Sequence, residues 1–323
     1  MTLEEIAKKM CAKGKGILAA DESTGTMDKR LTSVGVACTD KNRLSFRETL
    51  FTSDAVKNYI GGVILFDATI REKTSSGIPI PELLKKNNSV VGIKVDKGAK
   101  KMSGSPEETL TEGLDGLRER LAEYYKLGAR FTKWRAVYNI GKNFPSLQSI
   151  KSNSHALARY SALVQEANMV PIVEPEVLME GEHDIDTCYE VTTNVLNECF
   201  NELTAQKVLL NGIVLKPNMV VPGFKSSKKA TSEEIAKKTL DCLKKNVPSN
   251  VPAIAFLSGG QSEHEATSNL NAINKINDTN FLITYSYGRA LQQSALKIWS
   301  KEMSDTKAIH DVFNHRAKMN GLA

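Results

Sequence analysis

The chain has 323 residues, 41% hydrophobic and 25% charged, with a formal net charge of +6 at pH 7. That balance belongs to a folded globular protein and excludes a disordered or collagen-like chain. The five cysteines (Cys11, Cys38, Cys188, Cys199 and Cys242) are scattered and form no Cys-x-x-Cys pair, which excludes a disulfide framework or a zinc knuckle and suits a reducing cytoplasm.

The opening Thr2-Leu3-Glu4-Glu5 has the spacing of a helix capping box, and it does not read as a secretory leader. No apolar run reaches membrane-spanning length, so no membrane insertion is expected. No basic tract interleaved with aromatics points to nucleic acid. The positive charge is spread along the chain: it is either a solvated surface or a modest preference for anionic substrates and acidic partners.

Eight short β-rich runs follow one another, separated by helical patterns. Gly16 to Ala20 ends in Asp21, and Gly62 to Phe66 is the second run. Val90 to Ile93 ends in Lys94-Val95-Asp96, and Ala129 to Thr132 ends in Lys133-Trp134-Arg135. Val170 to Val173 ends in Glu174-Pro175-Glu176. The sixth run, from Gly212, ends in Leu215-Lys216-Pro217-Asn218. Ala253 to Leu257 ends in Ser258-Gly259-Gly260, and Phe281 to Tyr285 ends in Ser286-Tyr287-Gly288-Arg289. Between them, Leu114, Leu117, Leu121 and Tyr124 or Tyr125 recur at helical spacing before Gly128. Ser146 to Gln165 carries a stripe at Leu157, Tyr160, Ala162 and Val164. Thr231-Ser232-Glu233-Glu234 has a second capping-box spacing, and the basic segment from Lys225 to Lys229 reads as a loop at the barrel mouth.

Strand-like runs alternating with helices argue for a parallel sheet covered by helices. Eight of them in one composition regime predict a single α/β domain over residues 1–323, a (β/α)8 TIM barrel with a parallel eight-stranded core. The runs are spaced more widely than a minimal barrel of roughly 250 residues requires, so insertions are expected.

Active sites of such barrels lie at the C-terminal strand ends. Those ends carry Asp21, Lys94, Lys133, Arg135, Glu174, Glu176, Lys216, Ser258 and Arg289. Lys216 admits two readings: the solvated end of a buried strand, or a partly desolvated catalytic amine. Four cations in one basin, Lys94, Lys133, Arg135 and Arg289, imply a polyanionic ligand and are expected to lower the pKa of Lys216 by repulsion. The glycine-containing loops after the seventh and eighth runs sit where barrels bind phosphate, with backbone N–H groups at a helix N-terminus and a guanidinium fork available to an anion. A phosphate site beside a perturbed lysine and two carboxylates predicts imine chemistry on a sugar phosphate. In that reading Lys216 is the nucleophile, Glu174 shuttles protons and Asp21 accepts the hydroxyl proton that starts carbon–carbon cleavage.

Over essentially its whole length the sequence resembles class I fructose-1,6-bisphosphate aldolase. The stretches that carry the resemblance run from Gly14 to Gly25, Val91 to Gly98, Val170 to Glu176, Leu215 to Met219, Phe256 to Glu263 and Ser286 to Gln292. It implies reversible cleavage of fructose 1,6-bisphosphate to dihydroxyacetone phosphate and glyceraldehyde 3-phosphate in glycolysis and gluconeogenesis, with no metal or other cofactor. It also implies a cytoplasmic homotetramer. Carried over position by position, Lys216 is the Schiff-base lysine and Glu174 the main proton carrier, with Asp21, Lys133 and Glu176 as the supporting charges. Ser258, Gly259, Gly260, Ser286, Gly288 and Arg289 would bind one phosphate. Lys94, Arg135, Ser23, Thr26 and Arg30 would surround the rest of the substrate, with Arg43 a further candidate. Thr26 stands where better-known members have serine, which keeps the hydroxyl. The sequence ends at Asn320-Gly321-Leu322-Ala323, where those members continue into a tail ending in tyrosine; without that tail, steps after cleavage are expected to slow more than cleavage itself.

Three other readings compete. A metal-dependent aldolase or isomerase would need grouped ligands, and His155, His183, His264, His310 and His315 do not fall together at strand ends. A Schiff-base aldolase for another sugar phosphate would share every residue named. A scaffold for acidic or cytoskeletal proteins would use the same charged cleft.

Overall fold

A computed structural model describes residues 1–323. Its strands are β1 (Gly16–Ala20), β2 (Ile60–Leu65), β3 (Val90–Lys94), β4 (Ala99–Met102), β5 (Ser105–Thr111), β6 (Phe131–Tyr138), β7 (Val170–Val177), β8 (Val214–Leu215), β9 (Ala253–Phe256) and β10 (Leu282–Tyr287). Eight of them close into a barrel in the order β1-β10-β9-β8-β7-β6-β3-β2, and every neighbouring pair is parallel. The (β/α)8 barrel expected from the eight runs is therefore the fold. The other two, β4 and β5, form an antiparallel hairpin inserted after β3. Its residues are mostly polar and few are buried, so it left no apolar alternation to read.

The barrel interior follows from the two-residue period of a strand. Ile17 and Ala19 of β1, Ile64 of β2, Phe131 of β6, Val170 and Ile172 of β7, Val214 of β8, and Ala253 and Ala255 of β9 form one buried apolar cluster. Ile6, Ala7, Met10 and Cys11, from the helix Leu3–Met10 and the residue after it, complete the cluster and seal the N-terminal end. Phe131 needs space across the barrel, and Gly92 of β3 supplies it: a Cβ there would lie 2.1 Å from the Phe131 ring. A larger cluster of 73 buried residues lies between the sheet and the surrounding helices.

The helix signals were largely realised. Thr2 and Glu5 form the expected capping box. Thr231 accepts from the Glu234 amide, but the reciprocal side-chain bond is not formed, so only half of that box exists. Leu157, Tyr160 and Val164 are buried on the helix Leu147–Glu166. No helix is long and apolar enough to cross a membrane.

Several strand boundaries differ from the sequence expectation, most clearly those of β6, β7 and β8. Runs read by apolarity stop before Lys133 and Glu174, yet β6 and β7 each continue to eight residues. Backbone pairing carries them on, with Arg135 opposite Glu174 and Val137 opposite Glu176. Ladder hydrogen bonds do not depend on side-chain polarity, so the charged residues lie within these strands. The sixth run contracts instead: β8 is only Val214–Leu215, because a 3-10 turn at Leu210–Gly212 precedes it and Pro217 lacks an N–H. Lys216 is still held by its amide, which donates to the Val173 carbonyl at 2.8 Å.

Candidate active site

The parity that puts Ala19, Phe131, Ile172 and Val214 inside the barrel puts Asp21, Lys133, Glu174 and Lys216 above them, on the same inward face. These four stand on β1, β6, β7 and β8 or at their ends, and all four are buried. Burying charge singly costs several kcal/mol per ion, so the four must neutralise one another. They do. Lys133 Nζ lies 2.7 Å from Asp21, 3.5 Å from Glu174 and 4.0 Å from Asp96. Lys216 Nζ lies 3.1 Å from the other oxygen of Glu174. Burial alone would raise the Asp21 carboxyl, but the Lys133, Lys216 and Lys94 ammonium groups outweigh it and hold Asp21 at about 2. Burial likewise opposes charge on Lys133, and the Asp21, Glu174 and Asp96 carboxylates override it and hold the amine well above the ordinary lysine range.

Above this network opens a cavity of about 590 Å³. Asp21, Ser23, Thr26, Arg30, Lys94, Lys133, Arg135, Gly288 and Arg289 all line it. Glu174 and Lys216 join it through Lys133, and Glu176 through its ion pair with Arg135. The Ser23 and Thr26 hydroxyls are 3.1 Å apart at the start of the helix Thr24–Thr32.

The glycine loop after β9 gains its shape from two successive left-handed residues, Gly259 (φ +57°) and Gly260 (φ +95°). The amides of Gly259, Gly260 and Gly288 make no backbone hydrogen bond. Arg289 forms no ion pair, and its Nη2 lies 3.5 Å from where a Gly260 side chain would begin. Ser286 Oγ is buried without a partner on the same strand end. One expectation is corrected here. The helix Glu263–Ile276 does not offer its N-terminus to an anion, because Ser262 and Glu265 close it with a capping box of their own. What remains open is the glycine loop ahead of that helix, and the Gly288 end of the helix Arg289–Trp299, which has no side-chain cap.

Arg43 is not brought into the cavity. Its guanidinium is held by Asp40 and by the Cys38 carbonyl at the start of the helix Asp40–Phe51.

The family model for fructose-bisphosphate aldolase class-I matches residues 2–323. The chain belongs to the class-I fructose-bisphosphate aldolase family. It is 52% identical to a probable fructose-bisphosphate aldolase class 1 of Xanthomonas axonopodis pv. citri, over 99% of this chain and 96% of that protein. It is 49% identical to the muscle-type fructose-bisphosphate aldolase of Lethenteron camtschaticum, over 99% of this chain and 89% of the relative. A solved structure of Plasmodium falciparum fructose-bisphosphate aldolase, in complex with TRAP and a small-molecule inhibitor, superposes with a TM-score of 0.97. That protein is 44% identical, and the match covers 99% of this chain and 93% of the other.

Several residues of this aldolase site escaped the sequence reading. Asp96 lies 3.4 Å from Lys94 and also faces Lys133. The signal was present, since Lys94 and Asp96 are two apart and share a face. Glu22 pairs with Arg30 and lies 3.7 Å from Arg47. Gln292 donates to the Ala19 carbonyl at 2.7 Å and accepts from Arg30 at 3.2 Å. These last contacts join residues more than 260 positions apart, and no local pattern announces them.

Proposed function

We propose that this aldolase cleaves fructose 1,6-bisphosphate through a Schiff base on Lys216, with residues 1–323 acting as one catalytic domain. The Lys216 amine attacks the C2 ketone, and loss of water leaves a protonated imine. The bond between C3 and C4 then breaks, and its electron pair flows into the imine to give an enamine. The C4 hydroxyl gives its proton to the Glu174 carboxylate as it becomes the aldehyde of glyceraldehyde 3-phosphate, and Glu174 then returns that proton to the enamine carbon. Protonation of the enamine at C3 and hydrolysis of the imine release dihydroxyacetone phosphate and return the lysine. The reverse sequence joins the two triose phosphates.

One observation carries this reading: Glu174 bridges the amines of Lys216 and Lys133, and Lys133 lines the cation-rich cavity above them. Glu174 is within reach of every proton exchanged at the Lys216 nitrogen. Asp21, held at about 2, is a weak base in the free enzyme; its part is the fixed negative charge that keeps Lys133 charged and in place. Glu176 orients Arg135 in the same way. Arg289 with Gly259, Gly260, Gly288, Ser258 and Ser286 receives one phosphate. Arg30, Lys94 and Arg135 take the other charged end, with the Ser23 and Thr26 hydroxyls beside them. No group of three or more His, Cys, Asp or Glu side chains is placed to hold a metal ion, and the steps above call for none.

Cytosolic isozymes among the relatives support a cytoplasmic location, and we propose a homotetramer as the assembly. The Plasmodium falciparum neighbour in complex with TRAP supports a protein partner as a second use of such a chain; here the partner would be acidic, meeting the cationic mouth of the cavity.

Borohydride reduction in the presence of fructose 1,6-bisphosphate, followed by peptide mapping, tests the proposal. A stable adduct on Lys216, formed equally with a chelator present, is expected. A folded sample that binds sugar phosphates but yields no adduct overturns it.

A further inference from the structure

A second cavity, of about 560 Å³, opens at the opposite end of the barrel. Its walls come from the start of β3, the residue before β6, and the helix Leu3–Met10 that seals this end. Lys9, Lys85 and Arg130 line it, and no Asp or Glu does. Helix C-termini attract cations, and all three stand near one, so capping alone has to be considered. It accounts for only part of what is seen. Arg130 Nη1 donates to the Tyr125 carbonyl at 3.0 Å and to the Ala129 carbonyl at 2.7 Å, and the guanidinium is stacked 4.0 Å over the Tyr125 ring. Its Nε and Nη2 have no such carbonyl. The Lys9 and Lys85 ammonium groups form no ion pair within the protein, whereas nine other lysines do. Val90 and Val91 supply an apolar floor beside the three charges.

We infer that this cavity is a binding site for a small organic phosphate, distinct from the substrate site. Three cations without an ion-pair partner, and no carboxylate in the cavity wall, favour a ligand carrying two or more negative charges at one end. The floor of Val90 and Val91 and the Tyr125 ring favour an apolar or ring-shaped body at the other. A volume close to that of the active-site cavity fits a small molecule and not a polymer.

Phenyl phosphate is the probe, titrated calorimetrically into the full chain at low salt. The wild type is expected to bind one equivalent beyond those taken by the two phosphate subsites of the active site. Lys9→Ala/Lys85→Ala is expected to bind that further equivalent at least tenfold more weakly, with turnover of fructose 1,6-bisphosphate unchanged. Lys94→Ala/Arg289→Ala is expected to weaken the active-site equivalents and keep the further one. The inference is overturned if Lys94→Ala/Arg289→Ala binds no phenyl phosphate, or if Lys9→Ala/Lys85→Ala binds it as the wild type does. Neither outcome depends on the imine chemistry.

Discussion

The carboxylate of Glu174 lies 3.1 Å from the amine of Lys216 and presents its other oxygen to Lys133. A single side chain thus touches the nitrogen that must gain and lose protons and the cation that holds the charge network together. Glu174→Gln keeps the shape and a hydrogen bond but cannot carry a proton. Turnover should fall by about 10² to 10⁴, the usual worth of a positioned acid–base group. Borohydride trapping should slow in parallel while phosphate-dependent substrate affinity changes little. Steady-state kinetics and the trapping rate check this together.

Asp21 couples stability to pH. Its carboxyl is held at about 2, against an ordinary value of 3.8. A depressed carboxylate contributes stability above its unfolded value and loses it as pH falls toward its folded one. The contribution is present above about pH 4, amounts to about 2 kcal/mol, and fades between pH 4 and pH 2. Urea unfolding of the wild type and Asp21→Asn across that range should show a stability gap that narrows as pH falls. A gap that stays constant would exclude the coupling.

Gly92 and Phe131 are predicted to be non-additive. A methyl group at position 92 would meet the Phe131 ring at 2.1 Å, so Gly92→Ala overpacks the barrel and should cost about 1–3 kcal/mol or more. Phe131→Leu removes ring volume and by itself should cost about 1–3 kcal/mol. Combined, the pair should cost less than the sum, because the shorter side chain vacates the space the methyl needs. Thermal and urea denaturation of the three variants form the cycle.

Gln292 ties the Ala19 carbonyl of β1 to Arg30. Gln292→Leu leaves a buried carbonyl and a guanidinium short of a partner, a loss of about 1–3 kcal/mol. Arg30 should then be less well placed, so KM for the bisphosphate should rise several-fold while kcat changes less. Equal falls in kcat and kcat/KM would place Gln292 elsewhere in the reaction.

Arg43 supplies the contrasting case. Its guanidinium is engaged by Asp40 and Cys38 outside the cavity. Arg43→Ala should leave kcat and KM within about twofold of wild type, whereas Arg289→Ala should raise KM at least tenfold, as expected for a lost charge-assisted phosphate contact. Parallel assays of the two variants separate the positions.

By itself, the sequence determined the barrel and its inward charges. Eight apolar runs between helices require a parallel sheet with both faces covered, and the two-residue period assigns Asp21, Lys133, Glu174 and Lys216 to one direction. Those are local properties of each strand, so they survive reading one segment at a time. Only the tertiary structure decided which charges meet. Closure of β1 against β10 brings Gly288 and Arg289 to Asp21's strand, and Gln292 to Ala19 and Arg30. Pairing across β6, β7 and β8 sets Glu174 between two lysines, and that one contact distinguishes a proton carrier from a solvated strand end. The same closure left Arg43 outside, although its residue type qualified it for the site. Contacts between distant strands depend on barrel register and on the space left by Gly92, and neither is encoded within any single run.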